Sequence, residues 1–439
     1  MAQARKLVKR LMCPHCWRQF PPRETLWVSE HESLRGDHVL GAGHRMRFLP
    51  SRFNAAGLAL DARGVACRSL ACPRCHQVLP DELVSQQPLI FSVVGLPFSG
   101  KSYFLTSLSW SLRRSLPSRF GLSFADVSPE ENQTLIEHEQ AMFNPPSAQD
   151  LVRLPKTQLS HENYRSVRLQ DQTVWLARPL MFRLRPTPQH PLAAVSGEFS
   201  QVICLYDNAG EQFLPGVDTA GAMATQHLGE SRVLMFLFDP TQDPSIRRAA
   251  REVSGDPQLH ENQPHRRQDT VLSEMGRRVR AQLSLEAHQR LGRPLLVLVT
   301  KSDVWAPLLA GEDMESEPVL PPEKEDGVWR VDLGRIERTS ARLRRFLFEH
   351  VPEFVSVAED LCDPVLFLPV SSLGASPEAA QEDGATVLRV RRERVRPRWV
   401  TVPFLYAFSR WATGLFQAQV AGGGSVAGAV ERRSEPKPG

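Results

Sequence analysis

The chain has 439 residues, 41% hydrophobic and 23% charged, and its 53 Lys and Arg against 49 Asp and Glu leave a net charge of +4. That is the composition of a globular chain of two or three domains, and so small a basic excess does not imply nucleic acid or a membrane surface as partner. No apolar run approaches the length of a membrane-spanning helix, and an odd number of cysteines, seven, does not suit a disulfide framework. The basic start, MAQARKLVKRLMCPHC, lacks the apolar core and cleavage site of a secretory leader, so a reducing, cytoplasmic setting is expected.

Residues 1–87 hold two CPxC pairs, Cys13-Pro14-His15-Cys16 and Cys72-Pro73-Arg74-Cys75. Two intervening residues let both thiolates of a pair point into one site. Two pairs complete a closed tetrahedral site for Zn2+, structural rather than catalytic. The pairs stand further apart than in an ordinary zinc ribbon, so the expected unit is a zinc-ribbon-like module with an insert. Cys67, His15 and His76 are alternate ligands. Cys204 and Cys362 sit in or beside apolar runs and read as inert core residues.

Residues 88–417 alternate apolar runs with amphipathic stretches. Strands are expected at 88–95, 173–184, 201–207, 232–239, 294–300 and 364–370, and helices at 102–115, 211–228, 269–290 and 335–350. Several strands are uninterrupted apolar runs, as in a mostly parallel sheet with helices on both faces: an α/β fold. Residues 116–172 and 305–332 read as insertions or loops, and 400–416 as a final helix packing on the sheet. The Gly-, Ser- and Pro-rich segment 418–439 reads as a disordered tail.

The chemistry sits at strand ends. Gly95-Leu96-Pro97-Phe98-Ser99-Gly100-Lys101-Ser102 matches G-x-x-x-x-G-K-S/T between a buried strand and a helix. Its glycines allow a tight turn whose N–H groups face phosphate oxygens, Lys101 reaches the β- and γ-phosphates, and Ser102 offers a hydroxyl to Mg2+, with Tyr103 next in the helix. Asp207-Asn208-Ala209-Gly210 is a D-x-x-G; in nucleotide-binding proteins that carry this pattern after a P-loop, the Asp holds Mg2+ through water and the Gly N–H senses the γ-phosphate, roles that would fall to Asp207 and Gly210. Thr300-Lys301-Ser302-Asp303 is a T-K-x-D. The Asp303 carboxylate can accept from guanine N1–H and its 2-amino group, neither of which adenine offers, while the Lys301 stem lies along the base. Ser371-Ser372-Leu373 can present N–H groups to guanine O6. All four motifs follow apolar strands, where open α/β sheets bind ligands.

In that order the motifs resemble Ras-like, translation-factor-related GTPases over residues 88–417. The resemblance implies GTP/GDP and Mg2+ as ligands and a first-switch threonine, for which Thr157 is the leading choice, with Thr134 and Ser160 as rivals. Glu211 stands where such enzymes carry the glutamine that orients water, and Gln212 is one step on. With Lys101, Thr157, Gly210 and Gln212 as the catalytic set, hydrolysis is expected to be slow or to need a partner that supplies an arginine.

With the CPxC pairs in front, the chain resembles the second type of the bacterial double-GTPase family. That resemblance implies a GTP-binding molecular switch paired with a companion GTPase or effector in a multi-protein bacterial signalling, conflict or defence system. The other readings are a non-catalytic nucleotide-binding scaffold acting through the zinc module, and a P-loop ATPase. Arg391, Arg392, Arg394, Arg396 and Arg398 read as a solvated face rather than a nucleic-acid contact, and His227 and His265 as structural or exposed.

Overall fold

The computed structural model describes residues 7–147, 151–154, 164–169, 172–195, 199–208, 213, 225–260, 267–309, 311, 313–323, 327–382, 385–411, 414–419 and 425–426. Seven strands form the central sheet: β1 (Leu89–Gly95), β2 (Leu122–Asp126), β3 (Leu180–Pro186), β4 (Gln201–Asp207), β5 (Val233–Phe238), β6 (Leu295–Val299) and β7 (Val365–Pro369). Their spatial order is β2-β3-β4-β1-β5-β6-β7. The five from β4 to β7 in that order are parallel, and β2 and β3 run antiparallel at one side. The order reverses at β1, between β4 and β5, and a crevice at the strands' carboxyl ends follows from that reversal.

The main helices are α1 (Lys101–Phe120), α2 (Gln133–Phe143), α3 (Pro244–Val253), α4 (Gln268–Gln282), α5 (Leu333–His350), α6 (Pro352–Leu361) and α7 (Val402–Trp411). Every residue of β5 and β6 is buried, so both faces of the sheet need cover. On the first face Phe91, Val93, Met235 and Leu298 pack with Phe104 and Leu108 of α1 and with Phe404 and Phe408 of α7. On the second face Leu234, Phe236 and Val297 meet Leu272 and Met275 of α4 and Phe354 of α6. The rest of that face, Ile90, Met181, Val202, Cys204 and Tyr206, is covered by Trp17, Phe20, Leu79 and Leu83 of the cysteine module. At the outer strand the Phe367 N–H donates to Ser340 Oγ of α5 at 2.9 Å, which blunts an exposed edge.

Several expectations are corrected. The strand read at 173–184 is two elements: Gln172–Ala177 pairs with Tyr164–Leu169 as a hairpin, and β3 starts at Leu180. Arg178-Pro179 separates them, because proline has no N–H for a ladder. The loop expected at 116–172 contains the end of α1, the edge strand β2 and α2. Within 305–332, Arg330–Asp332 pairs with Gln417–Gln419, so a strand crosses the boundary expected at 417, and Ala418 is buried. The helix expected at 269–290 stops at Gln282, where the chain turns through Ser284 at φ 54. The final helix stops at Trp411, and α3 and α6 were not anticipated. Of the helix expected at 211–228, nearly all lies outside the described residues; Phe213 is described, and His227–Glu230 is helical.

Candidate nucleotide site and four-cysteine centre

The phosphate cradle is built by β1 and α1. A Cβ on Gly95 would lie 2.9 Å from the Leu237 carbonyl oxygen of β5, so only glycine lets the two strands meet there. Gly100 has φ 87 and turns the chain into α1 at Lys101, a left-handed conformation that glycine adopts at no steric cost. Lys101 is buried, and its Nζ donates to the Gly95 and Leu96 carbonyls at 3.0 and 3.3 Å. Ser99 is fully buried behind the turn, and Ser102 lies in the first turn of α1. The Tyr103 hydroxyl accepts from the Leu154 N–H at 2.9 Å, and its ring packs against the cluster of Met142, Phe143, Val152 and Leu154.

The neighbouring strand ends fall level with the cradle. Asp207 pairs in register with Val93, and the Asn208 N–H and Nδ2 both donate to the Val93 carbonyl, at 3.1 and 3.0 Å. Thr134 lies in the first turn of α2. Thr157, Ser160, Ala209, Gly210, Glu211, Gln212 and His265 lie outside the described residues.

The T-K-S-D turn, the candidate for reading a base, follows β6. The Thr300 N–H and hydroxyl donate to the Phe238 carbonyl at 2.8 and 3.1 Å. Lys301 has φ 56, and its Nζ pairs with Asp239 Oδ2 at 2.7 Å. The Ser371 hydroxyl donates to Asp303 Oδ1, and Ser371 Oγ accepts from the Gly374 N–H at 2.7 Å. Burial pushes the Asp303 carboxyl above the usual aspartate range, and the Ser371 hydroxyl opposes that shift. Ser107 Oγ of α1 donates to the Ser372 carbonyl at 2.8 Å, tying this loop to the cradle's helix. The Leu373 carbonyl accepts from the Arg396 N–H at 2.7 Å. The arginine run is divided: Arg391 and Arg394 pair with Glu378, Arg398 pairs with Glu315, and Arg392 lies over the Phe143 ring.

Sequence reasoning missed Asp239, Gln242 and Gln268, which gather beneath the cradle and the base turn. The available signal was the position of Asp239, an acidic residue closing an apolar run like Asp207 before it. That signal is weak, since strand ends often carry an aspartate as a helix cap, and Asp239 caps the turn Pro240–Gln242 as well.

The four-cysteine centre is the second site. Cys13, Cys16, Cys72 and Cys75 are wholly buried, with their sulfurs within 4.8 Å of one another. Cys13–Cys75 and Cys16–Cys72 are each 3.7 Å apart, far beyond a disulfide. A tetrahedron with Zn–S bonds of about 2.3 Å has S···S edges of about 3.8 Å, so the donor set fits zinc. The two knuckles repeat one another. In each, the residue after the second cysteine, Trp17 or His76, has φ 56, and its N–H bonds back to the first cysteine's carbonyl, at 2.9 and 3.0 Å. The alternate ligands are engaged elsewhere. His15 Nε2 meets the Val78 carbonyl at 3.1 Å, and burial lowers its pKa to about 4. His76 Nδ1 donates to Asp37 at 2.8 Å, and Cys67 Sγ faces the Val65 carbonyl. His227 is buried and stacks on Tyr206, while Cys204 and Cys362 are buried, and burial pushes both thiols up, that of Cys362 to about 12.

No family model matches the chain, and no curated protein does. Solved structures give distant matches. A variant of a protein named SsGBP matches 65% of this chain and 51% of its own at 11% identity, with a TM-score of 0.24. The signal recognition particle receptor SRβ–GTP/SRX complex from Chaetomium thermophilum matches 66% and 94% at 12% identity, with a TM-score of 0.24. Translation elongation factor SelB from Methanococcus maripaludis, in complex with the GTP analogue GppNHp, matches 65% and 30% at 10% identity, with a TM-score of 0.19. The chain thus spans about half the length of the first of these. Among the described residues, no helix is long and apolar enough to cross a membrane.

Proposed function

We propose that this chain is a GTP-binding molecular switch of the P-loop GTPase type, with Mg2+-dependent hydrolysis that is slow or partner-stimulated. The observation that carries the reading is that the phosphate cradle and a guanine-reading turn share one edge of the sheet. Gly95-to-Ser102 and Asp303 stand at carboxyl ends of β1 and β6, with Asp303 held by Ser371 and the Ser371 loop tied back to α1 through Ser107. Lys101 and the cradle N–H groups would hold the phosphates, Ser102 and Asp207 the Mg2+, and Asp303 the guanine edge. Bound Mg2+ supplies charge neutralisation at the phosphates. Lys101 now bonds to the cradle's own carbonyls, so phosphate competes with those bonds for its ammonium.

Zn2+ at the four cysteines is part of the same reading, as a structural centre. A companion GTPase or effector, within a bacterial signalling or conflict system, is the partner that the motif resemblance suggests. Nucleotide titration tests the core of the proposal: the wild type binds GTP in strong preference to ATP, and Asp303→Asn moves the preference towards xanthine nucleotides. Equal affinity of the wild type for ATP and GTP would sink it.

A further inference from the structure

Asp239 closes β5, between the strand that carries the cradle and the strand that carries the base turn, and it is wholly buried. A buried carboxylate persists only when it is paired and hydrogen-bonded. Its Oδ2 receives Lys301 Nζ at 2.7 Å and Gln242 Nε2 at 3.1 Å. Its Oδ1 receives the Thr241 N–H and hydroxyl at 3.0 and 2.7 Å. The Gln268 side-chain amide clasps its backbone, accepting from the Asp239 N–H at 2.8 Å and donating to the Asp239 carbonyl at 2.9 Å.

Two of these partners lead to opposite ends of the nucleotide site. Gln242 Nε2 also donates to the Pro97 carbonyl inside the cradle, at 3.1 Å. Lys301 stands two residues before Asp303 and holds φ 56, a left-handed conformation that lysine seldom adopts unless its surroundings fix it. The clamp at hand is the Asp239 ion pair, with a second bond from Lys301 Nζ to Thr241 Oγ1 at 3.1 Å.

We propose that Asp239 is a positioning residue for guanine recognition: by pairing with Lys301 it sets the direction in which the chain enters Asp303. This rests on the guanine-nucleotide reading above. Asp239 itself touches no base. Gln242 carries the same anchor to the cradle, so one buried carboxylate keeps the phosphate and base ends of the site in register.

Asp239→Asn preserves shape and removes the charge that pairs with Lys301. In the full chain, GDP, ADP and inorganic tripolyphosphate, each with Mg2+, are titrated into wild type, Asp239→Asn, Lys301→Met and the double variant. The ratio of GDP affinity to tripolyphosphate affinity should fall about tenfold or more in each single variant, the scale of one charge-assisted hydrogen bond. The double variant should be no worse than either single, because both break the same pair. A merely structural role would lower both affinities together and leave the ratio unchanged, and that result overturns the proposal, as do additive losses in the double variant. If Asp239→Asn does not fold, Asp239→Ser, smaller and equally uncharged, is read by the same ratio. A wild type that does not prefer GDP to ADP overturns the guanine reading and this proposal with it. A wild type that prefers GDP while the variants keep its ratio overturns this proposal only.

Discussion

The two halves of the sheet's second face are covered by different means. Over β5 to β7 lie α4 and α6, whose Leu272, Met275 and Phe354 meet Leu234, Phe236 and Val297. Over β3, β4 and β1 lies the cysteine module, whose Trp17, Phe20 and Leu83 meet Met181, Cys204 and Tyr206. The helical cover is held by apolar area and by its own backbone hydrogen bonds. The module's knuckle strands, Leu11–Met12, Gln19–Phe20, Leu70–Ala71 and Val78–Leu79, have two residues each, too few to form an independent core, so its cover depends on the sulfur cluster. The module also reaches the site. Trp17 Nε1 donates to the Tyr206 hydroxyl at 3.1 Å, that hydroxyl donates to the Pro14 carbonyl, and Tyr206 precedes Asp207. His227, stacked on Tyr206 with ring centroids 4.4 Å apart, bonds through Nδ1 to Ser92 Oγ in β1 at 2.6 Å. A cover made of short strands around sulfur is thus wired to β1 and β4, the two strands that end at the G-x-x-x-x-G-K-S and D-x-x-G motifs.

Removing the zinc proposed at the four cysteines should break this contrast most severely. Stripping it by a chelator, or losing it through Cys16→Ser, should lower the thermal midpoint by more than about 10 °C, because structural zinc contributes on the order of 10 kcal/mol. Calorimetry alongside metal analysis checks this, and a metal-free chain with an unchanged midpoint would erase the distinction between the halves. Next, Trp17→Ala should cost about 3–5 kcal/mol and Leu272→Ala about 2–5 kcal/mol by denaturant titration, as large-to-small core changes do. What separates them is the site: Trp17→Ala should also weaken Mg·GTP binding and Leu272→Ala should not. Equal effects on nucleotide affinity would mean that the module does no more than an ordinary helix.

Acidification gives a smaller effect. The folded Asp303 carboxyl titrates above its unfolded value, so it gains its proton earlier as pH falls. A protonated carboxyl has lost its charge and turned one oxygen into a donor, so it holds two N–H donors less well, and GDP affinity should therefore decline at a higher pH than an ordinary aspartate would produce. Chain stability should move the other way. The folded state binds more protons in that window, so falling pH relieves the buried charge. GDP titrations across mildly acidic pH, compared with Asp303→Asn, check the first sign, and thermal scans without nucleotide check the second. Smallest of all, Arg277→Ala, which breaks an exposed pair with Glu274 on α4, should change stability by less than about 0.5 kcal/mol.

Much of the site is legible because its chemistry is local. A cradle needs its glycines and Lys101 within one turn, and a zinc knuckle needs its cysteines two residues apart, so both are visible in short strings. Long apolar runs announced β1, β4, β5, β6 and β7 for the same reason. The edge strand β2 was hidden because it pairs on one side only and alternates with polar residues, as in LSFAD. The hairpin before β3 was merged with it because hydropathy alone does not register the break at Arg178-Pro179. Asp239 carried no signature, since its meaning lies in the ion pair with Lys301, 62 positions along the chain. Where the Tyr103 side chain points was not legible either, since a helix rotates neighbouring side chains by roughly 100° per residue.

The sequence by itself determined the chemical inventory: a G-x-x-x-x-G-K-S turn, a T-K-x-D carboxylate, four thiols spaced to suit one metal, and enough buried strands for a two-faced sheet. These follow from residue type and short-range spacing, and neither depends on where the rest of the chain goes. Only the tertiary structure decided that the cysteine module forms part of the sheet's cover, that Tyr206 and Trp17 join it to the Asp207 strand, and that Asp239 stands between the cradle and the base turn. Those are contacts between segments far apart in the chain, selected by which apolar faces must be buried together and which buried charges must be paired.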